Sequence, residues 1–380
     1  MTSDQALDRF DSQRLERAWA LLDEWTATDR LPAAAAVVGS SAGVSRPRHF
    51  GRQRVAADSP PLAPDALFLI ASPTKPIVAT ALLMLVEAGQ IQLVDPVVRY
   101  VPEFGKHGKR AITLAHCLTH TSGLPDMLPD NDALRVARAP LSEFLARVCE
   151  LTPDFLPGRN VQYQSLGFLL LAEVLERVTG RSLPEFLAER IFAPLEMHDS
   201  WLGLPTQSSH GGEIVVEPAL RARVAELRIG PIRLSGASHW NGDYWLALGA
   251  PWGGLLSTPS DLGKFAAHLL SIQRGKRGII TRATLDAMTS NQLARMPEVP
   301  EIHRRCFPWG YGWQLEWPTH PTTFGALLSP SAYGHWGATG TMVWIDPERD
   351  AFCVVLSTQP VELGRRRLTQ FTSAVCAAII

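Results

Sequence analysis

Apolar residues recur at three- and four-residue steps over residues 12–26, with Leu15, Trp19 and Leu22 on one face, which predicts an amphipathic helix. Residues 33–38 are a short β-like apolar run, closed by the small-residue turn Gly39-Ser40-Ser41-Ala42-Gly43. A second strand candidate, residues 44–54, follows that turn, so the region reads as a hairpin. Residues 66–71 are a third apolar run. From residue 72 to about 200 the pattern turns helical. Residues 77–87 are apolar on most faces and predict a buried helix, and helices follow over 113–118, 142–150 and 166–178, the last closed by Gly180. Ser182-Leu183-Pro184-Glu185 has the form of a capping box with Pro in the first turn. Residues 203–250, rich in Gly and Trp, read as a long loop or lid. A helix is predicted over 259–273, then strands over 311–317, 341–345 and 352–357 with a turn at 346–349, and a final helix over 365–376. The ends mix helix and strand and the middle is helical. This order predicts a discontinuous α/β domain from residues 1–70 and 251–380, with a mostly helical domain, 71–250, inserted in it.

Composition narrows the class. Of 380 residues, 46% are hydrophobic and 19% charged, enough apolar material for a large core. Lys plus Arg is 36 and Asp plus Glu is 37, so no basic surplus points to nucleic acid or to an anionic membrane. The longest apolar runs, 81–86 and 166–172, end at a Glu and fall far short of the about 20 residues a spanning helix needs. The first residues carry charge from position 4 with no apolar stretch, which predicts a cytoplasmic location. The five cysteines are widely spaced without a C-x-x-C, so neither a disulfide framework nor a zinc site is expected.

Two serine motifs compete. Residues 39–43 fit G-x-S-x-G, which works only on a sharp turn between a strand and a helix. Here Pro47 stands where that helix would be established, so Ser41 reads as a hairpin-turn residue. The second is Ser72-Pro73-Thr74-Lys75, between an apolar strand and an apolar helix. Residues i and i+3 share a helix face, so Lys75 can reach the Ser72 hydroxyl. Burial by the following helix would weaken the hold of Lys75 on its proton and make it a base near neutral pH. Ser72 would also lie at a helix start, where free N–H groups stabilise developing negative charge.

Further segments widen the pattern. Residues 111–125, ending Thr119-His120-Thr121-Ser122-Gly123-Leu124-Pro125, closely resemble a segment of the serine β-lactamase and penicillin-binding-protein superfamily, most strongly its class C-related branch. Tyr163-Gln164-Ser165 is similar to the family's Tyr-x-Asn, and residues 250–258 with Asp261-Leu262 to its Gly-Gly segment. Tyr311-Gly312-Trp313 and Gly334-His335-Trp336-Gly337 are similar to its last motifs. The resemblance implies an α/β (α+β) fold of β-lactamase/transpeptidase type: an antiparallel sheet flanked by helices, plus an all-helical domain, with the site between them. It implies Ser72 as acylated nucleophile, Lys75 as its proton partner and Tyr163 as second acid/base. The oxyanion hole would be the N–H groups of Ser72 and of Ala338, the latter on the strand after the last motif, with His335 and Gly337 lining that strand. Ser165, His335, Trp336, Gly337 and Trp252 are the expected substrate contacts. No metal or organic cofactor is implied.

Two departures bear on substrate. Ser165 replaces an amide whose reach a hydroxyl lacks. His335 replaces a lysine that would pair with a substrate carboxylate, and imidazole is mostly neutral at pH 7; Trp336 adds bulk. Both changes point away from β-lactams and towards small apolar esters, with amidase, β-lactamase or D,D-peptidase activity as the enzymatic alternative and a catalytically silent binding protein as the other. Several of the 11 tryptophans, among them Trp240, Trp245, Trp252, Trp309, Trp313 and Trp336, lie in or beside these segments, and a few could wall an acyl pocket. The pair His116 and His120 has no third ligand nearby and reads as part of the resembled segment. Arg304 and Arg305 read as solvated loop residues.

Overall fold

The computed structural model describes residues 5–207, 213–229, 240–316, 324–361 and 366–380. Trp317, Arg365 and two stretches of the expected loop 203–250 fall outside these residues. An antiparallel sheet draws its strands from both halves of the chain, in the order Gly43–Val44, Ala33–Ser40, Ala351–Ser357, Thr341–Asp346, Tyr333–Gly337, Gln314–Leu315. Ala33–Ser40 is buried along its whole length because both faces of the sheet are covered, so polar and apolar residues do not alternate. Ala34, Ala36 and Val38, with Trp344 and Val355, pack against Leu15, Trp19 and Leu22 of helix Ser12–Ala27 and Phe371 and Val375 of helix Arg366–Cys376. Val37, Val343, Val354 and Leu356 turn the other way, into a second core shared with Leu262, Phe265 and Leu269 of helix Pro259–Gln273. A Cβ on Gly263 would lie 2.6 Å from Val44 Cγ1, so only a glycine lets that helix lie this close to the sheet.

The second core continues into the helical part of the chain. Helix Thr74–Glu87 is buried from Thr74 to Leu85, which is why its sequence shows no polar face, and it packs on helix Leu166–Thr179. A small three-stranded sheet joins Phe68–Leu69, Leu255–Ser257 and Trp201–Leu202 beside the start of that helix. No described helix is long and apolar enough to cross a membrane.

Several elements differ from the sequence expectation. Residues 44–54 do not form one strand. Gly43–Val44 pairs with the end of Ala33–Ser40 and Arg48–Gly51 with its beginning, with Pro47, which cannot donate to a ladder, between them. Of the described residues 311–316 only Gln314–Leu315 is a strand; Tyr333–Gly337 is the strand that the resemblance alone implied, its two glycines masking the apolar pattern, and Ala338 lies just beyond it rather than on it. Within 203–250 the described residues hold helices Pro218–Arg223 and Asp243–Leu248 and a two-residue ladder joining Thr206–Gln207 to Val215–Val216.

Ser41 lies in the hairpin turn, where Asp350 accepts hydrogen bonds from its N–H at 3.1 Å and its hydroxyl at 2.9 Å. This hydroxyl ties two turns of the sheet together. Ser41→Ala is therefore expected to lower stability by about 1 kcal/mol in urea unfolding, and to leave enzymatic turnover at the wild-type rate.

Candidate active site

The backbone bends sharply where the small sheet meets helix Thr74–Glu87. Ala71 has φ of 55°, a left-handed conformation that costs a Cβ-bearing residue about 1–2 kcal/mol. Several bonds hold it. The Ala71 carbonyl accepts from Thr74 N–H at 2.9 Å and Thr74 Oγ1 at 2.7 Å, and Thr74 Oγ1 accepts from Leu255 N–H at 3.2 Å. From the large sheet, Thr339 and Thr341 donate their hydroxyls to the carbonyls of Leu69 at 2.7 Å and Ile70 at 2.6 Å. A Cβ on Gly337 would stand 2.3 Å from the Ile70 carbonyl oxygen and 3.0 Å from Pro73 Cδ. Gly337 is thus required by the contact between sheet and turn. Ser72, next in the chain, is left half-buried at the seam between the two halves of the molecule.

Three side chains meet there. Lys75 is fully buried, and its Nζ donates to Ser72 Oγ at 3.2 Å and to the Trp252 carbonyl at 2.8 Å. Burial lowers its pKa to about 7, against a smaller opposing pull from the Asp126 carboxylate. Tyr163 donates its phenol to Ser72 Oγ at 2.8 Å, and the Lys75 ammonium position lies 4.8 Å from its ring centre. Its pKa is raised, first by burial and then by Asp126. A phenolate favoured by a neighbouring ammonium is therefore not the resting form: desolvation outweighs the charge, and Tyr163 is a phenol donor. The arrangement can strip a proton from Ser72 through a near-neutral amine and return one through a phenol.

Tyr163 sits on a loop, and residues 116–121 hold that loop. Gln162 N–H donates to the His120 carbonyl at 2.9 Å, Gln164 N–H to His120 Nδ1 at 3.1 Å, and Gln164 Nε2 to the Cys117 carbonyl at 2.9 Å. His120 is buried 4.6 Å from the Tyr163 ring, and its pKa falls well below the usual imidazole value, so it is neutral and accepts through Nδ1. His116 Nδ1 accepts from Thr113 N–H at 3.1 Å in a helix cap. The histidine pair thus does local structural work.

The remaining expected contacts divide. His335 lies on the site face, 6.1 Å from the Tyr163 ring and 5.8 Å from Trp309, and Trp309 stands 5.8 Å from Tyr163. Trp336, one residue on, points through the sheet and packs with the terminal helices, so it does not line the site. Trp252 contributes its carbonyl; its indole is 2% exposed, packed against Phe144 and Trp245. Trp240, Trp245 and Trp313 are likewise core residues. Ser165 donates its hydroxyl to Asp126 Oδ1 at 2.8 Å, a partner the sequence reading missed. Ala338 follows the strand Tyr333–Gly337, half-buried. Arg304 and Arg305 line a separate cavity of about 570 Å³ with Asn291, Glu301 and Glu316.

Known proteins resemble this chain in sequence and in fold. The Beta-lactamase family model matches residues 15–374. Esterase EstB of Burkholderia gladioli is 35% identical over 195 residues, 47% of this chain and 49% of that protein, so the match spans about half its length. Penicillin-binding protein 4 of Amycolatopsis lactamdurans is 28% identical over 73% of this chain and 67% of that protein. A penicillin-binding-protein homologue from Caulobacter crescentus superposes with a TM-score of 0.77 at 22% identity, over 97% of this chain and 99% of that one, and so shares the fold. With a family model matched over nearly its whole length, the chain belongs to the β-lactamase family, within the superfamily of serine β-lactamases and penicillin-binding proteins.

Proposed function

We propose that this protein hydrolyses small apolar carboxylic esters through an acyl-enzyme on Ser72. The observation that carries this is the convergence of Lys75 Nζ and the Tyr163 phenol on one hydroxyl oxygen, at 3.2 and 2.8 Å. Lys75, neutral in part at pH 7, takes the Ser72 proton as Oγ attacks the carbonyl carbon. The N–H groups of Ser72 and Ala338 receive the oxyanion. Tyr163 hands its proton to the departing alkoxide; water then attacks the acyl carbon, giving a proton to the Tyr163 phenolate, and Lys75 returns its proton to Ser72 Oγ as the acid leaves.

Two features support an ester over a β-lactam. His335 stands where a β-lactamase has a lysine, so the cation that would pair with a β-lactam carboxylate is missing. The Tyr163, Trp309 and His335 rings make that side of the site aromatic. The likeness to the Burkholderia esterase points the same way. The likeness to penicillin-binding protein 4 keeps a D-amino-acid amide as the second substrate to assay.

The first test is p-nitrophenyl butyrate hydrolysis by wild type and Ser72→Ala. The variant is expected to lose at least about 1,000-fold, to background. Equal rates would remove Ser72 from the chemistry, and a wild type that is inactive on the ester and unlabelled by a fluorophosphonate would favour a binding protein. Tyr163→Phe, which removes only the hydroxyl, is expected to lower kcat about a hundredfold.

The pH profile tests Lys75. Below its pKa of about 7 the amine is protonated and cannot accept from Ser72. Hence kcat/KM is expected to rise about tenfold per pH unit on the acid side and to level off above neutrality. A flat profile between pH 5 and 8, as about the range to scan, would rule out Lys75 as the base. Charging this amine in the core also opposes folding, so Lys75→Met is expected to abolish activity while raising Tm at neutral pH.

A further inference from the structure

Asp126 takes part in none of these steps, yet it is bonded to the segment that carries Tyr163. Two hydrogen bonds join it to the segment bearing Tyr163: Ser165 Oγ donates to Asp126 Oδ1 at 2.8 Å, and Ser165 N–H donates to the Asp126 carbonyl at 3.2 Å. The two residues differ in burial. Ser165 is 2% exposed, whereas Asp126 is open to solvent. An exposed residue is therefore anchored through one carboxylate oxygen to a buried hydroxyl. It lies near enough to Lys75 and Tyr163 to raise the proton affinity of both. Among the described residues, Ser165 supplies the one hydrogen bond to this carboxylate, and no cation forms an ion pair with it.

Above neutral pH the other groups around Ser72 offset little of that charge. Lys75 is sealed beneath Ser72, and with a pKa of about 7 it is half-protonated at neutral pH and mostly neutral one unit higher, at about pH 8, the pH chosen for the assay. Tyr163 stays protonated, and the rings of Trp309 and His335 complete the wall. A substrate entering the site therefore meets a negative field with a fixed origin. A carboxylate on the substrate would be repelled, and a cation would be attracted.

We propose that Asp126, anchored by Ser165, is a charge selector for the substrate: esters with a cationic end are taken ahead of neutral ones of the same shape, and anionic ones are turned away. This deepens the ester reading above and rests on it for the choice of substrate. Asp126 is a specificity residue here and transfers no proton.

The test uses pairs matched in shape. On the acyl side, p-nitrophenyl 4-(trimethylammonio)butyrate is compared with its neutral isostere, p-nitrophenyl 5,5-dimethylhexanoate, and with the mono-p-nitrophenyl ester of adipic acid. On the alcohol side, butyrylcholine is compared with 3,3-dimethylbutyl butyrate. In the wild type, kcat/KM for the cation is expected to exceed that of the neutral isostere by about fivefold in at least one series, with the anion lower again by a similar factor. In Asp126→Asn, which keeps size and polarity, those ratios are expected to approach one. Ratios within one variant cancel any general change in rate. Ser165→Ala, which keeps the carboxylate but frees it, is expected to give intermediate ratios. Equal ratios in wild type and Asp126→Asn, in both series, would overturn the proposal while Ser72-dependent hydrolysis left the ester reading standing.

A second measurement needs no turnover. Dissociation constants of 3-(trimethylammonio)phenylboronic acid and 3-carboxyphenylboronic acid, which add to a serine hydroxyl, are read from tryptophan fluorescence. A preference for the cationic acid that Asp126→Asn abolishes supports the selector even if none of the esters is cleaved. No preference in the wild type overturns it.

Discussion

An amine buried beside a serine, with no carboxylate bonded to it among the described residues, is the constraint around which the site is arranged. Lys75 has lost its water, and the groups within its reach are the Ser72 hydroxyl and the Trp252 carbonyl. A charged ammonium there would be poorly compensated, so the lysine gives up its proton readily. The apolar length of helix Thr74–Glu87 excludes the water, and the Gly-Gly turn after Trp252 brings the accepting carbonyl into place. The same burial that loosens the proton of Lys75 makes Tyr163 hold its own. One environment thus separates the two proton affinities in opposite directions, which is what a base and an acid on one oxygen require.

The surroundings work to hold geometry. Ala71 would relax from its left-handed conformation if the carbonyls and hydroxyls around it were not each engaged. Tyr163, on a loop, owes its position to the buried Gln164 and His120 rather than to regular secondary structure. Strain and satisfied hydrogen bonds therefore occur side by side, the first placing Ser72 and the second keeping it there.

Much of this was legible in the sequence, for reasons that differ by residue. Ser72 and Lys75 announced themselves by helical spacing in front of an apolar helix, and Tyr163 by its place in a series of family-like segments. The long helices followed from their three- and four-residue steps. The strand Tyr333–Gly337 left no periodic signal, because Gly334 and Gly337 interrupt the apolar count, and only the family-like segments implied it; both glycines are demanded by close packing. Trp336 was misjudged as a pocket residue for want of one step: if His335 and Gly337 face the site, strand alternation sends Trp336 through the sheet. Trp252 gave no such warning, since a residue that works through its carbonyl leaves no mark in its side chain. Asp126 was invisible for another reason. A single aspartate after a proline looks like any surface turn, and only its bond to Ser165 sets it apart.

The threonine pair that pins the large sheet to the turn before Ser72 has a topological consequence. Thr341 and Ile70 are 271 residues apart in sequence, and Tyr163 and Ser72 are 91 apart. Contacts of such long range close last, because each must first overcome the entropy of the loop it shuts. The surroundings of Ser72 are therefore assembled late in folding, from segments far apart in the chain. A nascent chain that has not yet reached Thr341 carries Ser72 without one of the bonds that fix the turn before it.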